Sequence, residues 1–225
     1  MRVCVIIPSY NESKEIAGLV SRITQQGLEV IIIDDGSMDD TANIAASCGA
    51  KVLRNIANCG KGASLIKGYK YAISQGFDAV ISMDGDGQHS SDDIGAFIKK
   101  AQNSKASVFV GNRMALTKGM PFLRIVTNRL MSFFISLITK QFIPDTQCGF
   151  RLIKKEVLEK LDFSTSKYET ESEILIKTAR LGFKIESVPI KTIYSGQKSQ
   201  INPVIDTFRF FRFIILDFLR KFKKC

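Results

Sequence analysis

The sequence predicts an α/β protein built on a mostly parallel sheet with helices on both faces. Three observations predict it. Apolar runs of strand length alternate with amphipathic runs of helix length through the first half. The strand-like runs are continuously apolar rather than alternating, as strands buried on both faces are. Acid-rich polar clusters follow the strands, at the sheet edge where ligands bind in such folds.

The elements follow in order. Residues 3–8 (VCVIIP), 29–34 (EVIIID), 51–54 (KVLR), 78–84 (DAVISMD) and 107–111 (SVFVG) read as strands. Amphipathic segments near 13–26, 39–48, 61–75 and 90–103 read as the helices between them. Three of those helices close with Gly27, Gly49 and Gly76, residues suited to a left-handed C-terminal turn. The character changes after about residue 115. The stretch FLRIVTNRLMSFFISLITKQFI is apolar with basic residues along it, and DTQCGFR reads as a polar loop. A helix near 170–181 ends at Gly182, and a strand follows near 183–190. After Pro203 the chain reads as an aromatic, basic helix.

Composition narrows the classes. The chain has 225 residues, room for a substantial core, and a net charge of +10, which suits an anionic partner. Its five cysteines form no C-x-x-C pair, so they read as reduced thiols of a cytosolic protein rather than a disulfide frame or zinc site. The start, RVCVIIP, has no signal-peptide pattern. The longest uncharged stretch of the second half runs from Leu130 to Thr139, while a spanning helix needs about 20 apolar residues. No membrane crossing is expected, although a segment can lie on a membrane.

Four clusters carry chemistry. In MDGDGQH, Asp84, Asp86 and Gln88 offer hard oxygens to one divalent cation, Mg²⁺ or Mn²⁺. The plainer reading is a turn, but two carboxylates at a strand end repel unless a cation lies between them. In IIIDDGSMDDT, Asp34 and Asp35 end a strand and suit a base or ribose, while Ser37 or Asp39 suits a helix cap. NCGKGASLIKGYKYA is not a Walker A loop, yet Gly60 and Gly62 permit close backbone approach at a helix start, and Lys61 is either a ligand contact or solvated. Arg113, Arg129 and Arg151 are each a plain surface charge by default and together a candidate phosphate clamp.

The last twenty residues carry six basic and two acidic side chains. Phe208, Phe211, Ile215, Phe218 and Phe222 recur at helical spacing there, the pattern of a helix lying in a membrane interface. Phe210 and Phe213 widen that apolar face. A helix packed on the core or on a second subunit is the plainer reading.

The ordered set IIPSYNE, IIIDDGSMDDT, NCGKGASLIKGYKYA, MDGDGQH, GNR, DTQCGFR, ETESEILIKTARLGFKIESVPI and IYSGQKSQINP resembles glycosyltransferase family 2 with the GT-A fold. Within it the chain is most similar to the polyprenyl-phosphate glycosyltransferases of the dolichyl-phosphate mannose synthase type. The resemblance runs from Val3 to about Pro203 and implies a catalytic domain over residues 1–200, followed by the amphipathic helix over 201–225. It implies nucleotide-sugar contacts at Pro8, Tyr10, Asn11, Glu12, Asp34, Asp35, Lys61, Asp84 and Lys198. It implies a metal triad of Asp84, Asp86 and Gln88, and an acceptor phosphate held by Arg113 and Arg129. Departures are Gly85, where alanine is common in this branch, Gln197 in the basic loop, and no transmembrane helices after the domain.

The implied reaction is inverting transfer of a hexose from a GDP- or UDP-sugar to a polyprenyl phosphate at the cytoplasmic membrane face. A lipid phosphate is already ionised at pH 7, so the task is positioning and charge neutralisation. A saccharide hydroxyl acceptor would need a base, for which Glu171 and Asp145 are the candidates. Further alternatives are a non-catalytic scaffold that binds nucleotide or membrane, and nucleic-acid binding. The thick phenylalanine face argues against nucleic acid, and the missing G-x-G-x-x-G argues against a dinucleotide oxidoreductase.

Overall fold

The computed structural model describes residues 1–117, 119–167, 169–191, 210–217 and 219. Seven strands form one sheet in the order β3-β2-β1-β4-β6-β5-β7. The five expected strands are β1 (Val3–Ser9), β2 (Glu29–Asp34), β3 (Lys51–Arg54), β4 (Ala79–Ser82) and β5 (Val108–Asn112), and the expected seventh is β7 (Ile185–Pro189). They pair in parallel, β1 with β2 and β4, β2 with β3, and β5 with β7.

The sheet departs from the expectation at one strand. Arg151–Lys154, of which only Arg151 was assigned above, as the end of a polar loop, forms β6 and runs antiparallel between β4 and β5. Its four residues, RLIK, are too short for a period to show. Pairing on both edges makes it a strand. This insertion separates β1 to β4 from β5 and β7.

Residues Val3–Ile7 and Val30–Ile33 are almost fully buried, so both faces of the sheet are covered. The covering helices are α1 (Ile16–Thr24), α2 (Thr41–Ser47), α3 (Lys61–Ser74), α4 (Ile94–Asn103), α5 (Phe122–Thr139), α6 (Lys155–Leu158) and α7 (Glu169–Arg180). Leu19, Val20 and Ile23 of α1 and Leu65, Tyr69 and Ala72 of α3 turn inward at helical spacing. Phe97 of α4 stacks on Phe150 at a centroid distance of 4.4 Å, closing the core beneath β6.

α5 is the longest helix described, and its two sides differ. Asn128, Met131, Ser132, Ile135 and Thr139 face inward. Leu123, Val126, Leu130, Phe133 and Leu137 face outward and are exposed, with Phe133 at 63 %. Its 18 residues have a mean hydropathy of 1.3, long and apolar enough to cross a membrane by length and composition, although 28 % of it is buried within the protein. The uncharged stretch Leu130–Thr139 is only the second part of this helix, because Arg124 and Arg129 interrupt the uncharged run without ending the helix.

Residues 210–217 are helical. Phe210 and Phe213, expected to widen a lipid-facing surface, instead turn into the core at 4 % and 8 % exposure. Phe211 meets Phe134 of α5 edge-on at 5.2 Å, and Asp217 pairs with Arg180 of α7. The outward residues are Ile215, Leu216 and Leu219. Phe208, Phe218 and Phe222 of the expected stripe lie outside the described residues.

Candidate active site

The carboxyl ends of β1, β2 and β4 gather the acids. β4 stops at Ser82 because the chain turns there through Met83 into the Asp84–His89 loop. Ser82 Oγ donates to the carbonyl of Gly149, tying that loop to the segment before β6.

Asp84 sits at the centre. Its Oδ1 lies 2.5 Å from Lys61 Nζ, and its Oδ2 lies 3.5 Å from Nε2 of the buried His89. Burial pushes the Asp84 carboxyl up, but Lys61 and His89 outweigh it and hold the group far below the usual carboxylate range. Lys61 Nζ also lies 2.7 Å from Glu171 Oε1 at the start of α7. Burial lowers the Lys61 pKa, and the two carboxylates overcome that and raise it above an ordinary lysine. Lys61 is thus neither solvated nor free. It is the hub of an ion pair joining α3, the Asp84 loop and α7.

Asp86 is held differently. Its Oδ1 accepts from the Gln88 amide at 3.0 Å. Burial and then the Asp84 charge push its pKa up. Glu12 joins the same crowd, raised to about 7 by burial and then by Asp86, Glu15, Asp39 and Asp84. Asp86 and Gln88 supply oxygens that fit a hard divalent ion, and the mutual repulsion of Asp86 and Glu12 is what such an ion would relieve. Among the described residues no three His, Cys, Asp or Glu side chains converge on one metal-sized point.

The β1 and β2 loops brace each other. Asn11, at a left-handed φ of 56°, donates its amide to Ser37 Oγ and accepts from the Met38 amide through Oδ1. Asp39 accepts from the Ser13 and Thr41 amides and from Thr41 Oγ1. Burial raises its pKa, and these bonds more than offset that, leaving it at about 2. Asp34 is fully buried and pairs with Arg54 Nε at 3.0 Å. The parallel register that sets Asp34 opposite Arg54 brings them together. Asp35 accepts from Asn55 Nδ2 and from the Cys59 and Gly60 amides, fastening the approach to α3. Pro8 and Tyr10 stand half-buried at the end of β1, on the same edge.

The arginines separate. Arg113 is buried and makes a fork on Asp145, with Nε at 2.7 Å and Nη2 at 2.9 Å, while its amide meets the same carboxylate at 3.0 Å. Only its Nη1 has no hydrogen bond among the described residues. Arg129 is exposed on α5. Arg151, a candidate for the phosphate clamp, is corrected. It is 1 % exposed and donates to the carbonyls of Cys148, Thr146 and Glu171. It staples the loop before β6 to α7 and cannot reach a ligand. Asp145 is filled by Arg113, and Glu171 is engaged by Lys61 and, at 3.8 Å, by Arg151. Lys198 lies outside the described residues.

Two glycines shape the site: Gly149, which sequence reasoning left without a role, and Gly62, expected to let a ligand approach the backbone and instead admitting α7. A Cβ on Gly149 would stand 2.7 Å from both Asp84 oxygens and 2.9 Å from Lys61 Nζ. A Cβ on Gly62 would stand 2.1 Å from Thr170 Oγ1, so the starts of α3 and α7 meet only because Gly62 has no side chain. Neither contact leaves a sequence signal, since each partner is remote along the chain.

A mostly parallel sheet with one inserted antiparallel strand and acids at the carboxyl ends of β1, β2 and β4 is the GT-A architecture of glycosyltransferases. The chain belongs to glycosyl transferase family 2, whose profile matches residues 4–162. It is 33 % identical over 216 residues to the UDP-N-acetylglucosamine–dolichyl-phosphate N-acetylglucosaminyltransferase of Methanococcus voltae, covering 86 % of each chain. It is 26 % identical over 203 residues to the polyprenol monophosphomannose synthase of Mycolicibacterium smegmatis, covering 84 % of this chain and 76 % of that one. Its fold matches the crystal structure of mannosyl-3-phosphoglycerate synthase from Rubrobacter xylanophilus with a TM-score of 0.77 at 17 % identity, covering all of this chain and 76 % of that one. It also matches the glucosyl-3-phosphoglycerate synthase of Mycobacterium tuberculosis in complex with Mn²⁺, UDP and glucosyl-3-phosphoglycerate, with a TM-score of 0.70 at 18 % identity, covering 97 % of this chain and 78 % of that one.

Proposed function

We propose that this glycosyltransferase moves a hexose from a GDP- or UDP-sugar to a polyprenyl phosphate, with inversion, while lying on the cytoplasmic face of a membrane. The observation that carries the reading is the two-sidedness of α5. Its inner side touches the site: the Thr146 amide donates to Ser132 Oγ at 2.9 Å, and the same loop carries Gly149 against Asp84. Its outer side is an exposed apolar stripe with Arg129 beside it. One helix therefore joins a polar transfer site to a surface suited to lipid. Relatives named for dolichyl-phosphate and polyprenol acceptors support the same acceptor class.

In this reading Asp34 and Asp35 border the base and ribose, and Lys61, Asp84 and Glu12 border the diphosphate. Asp86 and Gln88 would hold Mg²⁺ or Mn²⁺, which offsets negative charge on the departing nucleoside diphosphate. The acceptor phosphate oxygen attacks the anomeric carbon from the side opposite the leaving group. Arg113 Nη1, Arg129 and Lys198 provide the counter-charge that brings the two anions together. No base is required, which agrees with Asp145 and Glu171 both being engaged in ion pairs.

The test is transfer from a panel of UDP- and GDP-hexoses to a short polyprenyl phosphate in lipid vesicles, with Mn²⁺, Mg²⁺ or chelator, beside Asp86→Ala. A metal-dependent lipid-linked sugar that is lost in Asp86→Ala is expected. Donor hydrolysis without lipid product would move the acceptor to a saccharide hydroxyl, and full activity in chelator would overturn the role of the cation.

A further inference from the structure

The two aspartates of Asp84-Gly85-Asp86 read as equivalent cation ligands in sequence, and the structure makes them unequal. Both Asp84 oxygens face cationic or imidazole nitrogen: Lys61 Nζ at 2.5 Å and His89 Nε2 at 3.5 Å. Lys61 does not hang free beside Asp84. Its second contact, Glu171 Oε1 at 2.7 Å, anchors it from the opposite side. Glu171 is in turn fixed by Arg151, which donates to its backbone carbonyl at 2.6 Å and whose Nη2 lies 3.8 Å from Oε2. The Gly149 backbone closes a further side of the Asp84–Lys61 pair, with no room there even for a methyl group. Asp86 has only the Gln88 amide of its own turn on Oδ1, and no hydrogen bond to Oδ2 among the described residues.

We propose that Lys61 divides the pair: Asp84 is committed to an internal Asp84–Lys61–Glu171 ion triplet, and Asp86 with Gln88 alone faces the divalent cation. Lys61 is then a positioning residue, and Glu171 is its anchor rather than a base. The inference rests on the divalent-cation reading above. The physical consequence is a site kept one charge less negative than its carboxylates alone would make it. Such a site holds few protein ligands on the cation and leaves positions for donor phosphates, the arrangement Mg²⁺ and Mn²⁺ favour. Removing the lysine leaves a second carboxylate uncompensated beside the first, whose charges already act on each other, and attraction for a divalent ion rises.

The experiment is Mn²⁺ titration of the full chain, followed by the electron paramagnetic resonance of free Mn²⁺, with and without UDP or GDP. Five proteins are compared: wild type, Asp86→Asn, Lys61→Met, Lys61→Arg and the charge-balanced double variant Lys61→Met/Asp84→Asn. Thermal melts verify folding. Asp86→Asn is expected to lose Mn²⁺ by about 100-fold or more, and Lys61→Met to bind it about tenfold more tightly than wild type. Lys61→Arg and the double variant are expected to stay within about threefold of wild type, since each keeps the charge balance. Loss of Mn²⁺ in the double variant equal to that in Asp86→Asn would place Asp84 among the ligands and overturn the proposal. So would unchanged or weaker binding in Lys61→Met. Should Lys61→Met not fold, the double variant and Lys61→Arg decide the question. A wild-type protein that binds no Mn²⁺ even with nucleotide would instead overturn the cation reading itself.

Discussion

Removing Asp145 should destabilise the fold far more than removing a surface carboxylate. Asp145 is fully buried, and its partner Arg113 is 5 % exposed at the side chain. Three hydrogen bonds of 2.7 to 3.0 Å converge on the one carboxylate. Asp145→Ala leaves a guanidinium in the interior without its counter-charge, a change that costs about 3–5 kcal/mol. In a domain of this size each kcal/mol lowers Tm by roughly 2–4 °C, so the melt should fall by roughly 6–20 °C. Urea unfolding followed by circular dichroism measures the free energy directly, provided the slope m is unchanged. Replacing both partners with apolar residues, Arg113→Met/Asp145→Leu, should recover much of the loss, because no charge is then stranded. A cost below about 1 kcal/mol for Asp145→Ala would refute the reasoning. It would mean that Arg113 is free to turn outward and that its whole guanidinium is available to an acceptor phosphate.

Three further outcomes are expected. Gly149→Ala should lower kcat by about 100-fold, because its Cβ would fall 2.7 Å from the Asp84 oxygens and displace them; steady-state kinetics at saturating donor would read it, and full activity would show that the loop yields. Asp39, with its pKa lowered to about 2, should contribute stability that is present above about pH 4 and lost as pH falls through about 2. A carboxyl carbon resonance titrating near pH 4 would contradict its bonds to Ser13 and Thr41. Burial pushes the Cys4 and Cys148 thiols up to about 12, while Cys59 is exposed. Iodoacetamide should therefore label Cys59 in the native protein and reach Cys4 and Cys148 only on unfolding, as mass spectrometry of the peptides would show.

Local pattern made much of the fold legible. β1, β2 and β3 appear within a residue of where their apolar runs place them, because buried parallel strands are written as uninterrupted Val and Ile. The acids Asp34, Asp35, Asp84 and Asp86 lie at the strand ends the pattern implies. β6 was not legible: RLIK becomes a strand only because β4 and β5 leave a gap that it fills. The direction of Phe210 and Phe213 was not legible either, since an aromatic helix face reads alike whether it meets lipid or the core. Charge roles were the least legible. Arg113, Arg129 and Arg151 are one residue type in three polar surroundings, yet the first is forked on Asp145, the second is exposed and the third is a backbone staple.

By itself the sequence determined the alternation of strand and helix, the edge of the sheet where the acids collect, and through its ordered motifs the family. Those follow from periodicity and from residue order, which are local. Tertiary structure alone decided which carboxylate pairs with which cation: Lys61 with Asp84 and Glu171, Arg113 with Asp145, Arg54 with Asp34. A charge in the interior is settled by whatever opposite charge the fold brings within about 4 Å, and no spacing along the chain records that distance.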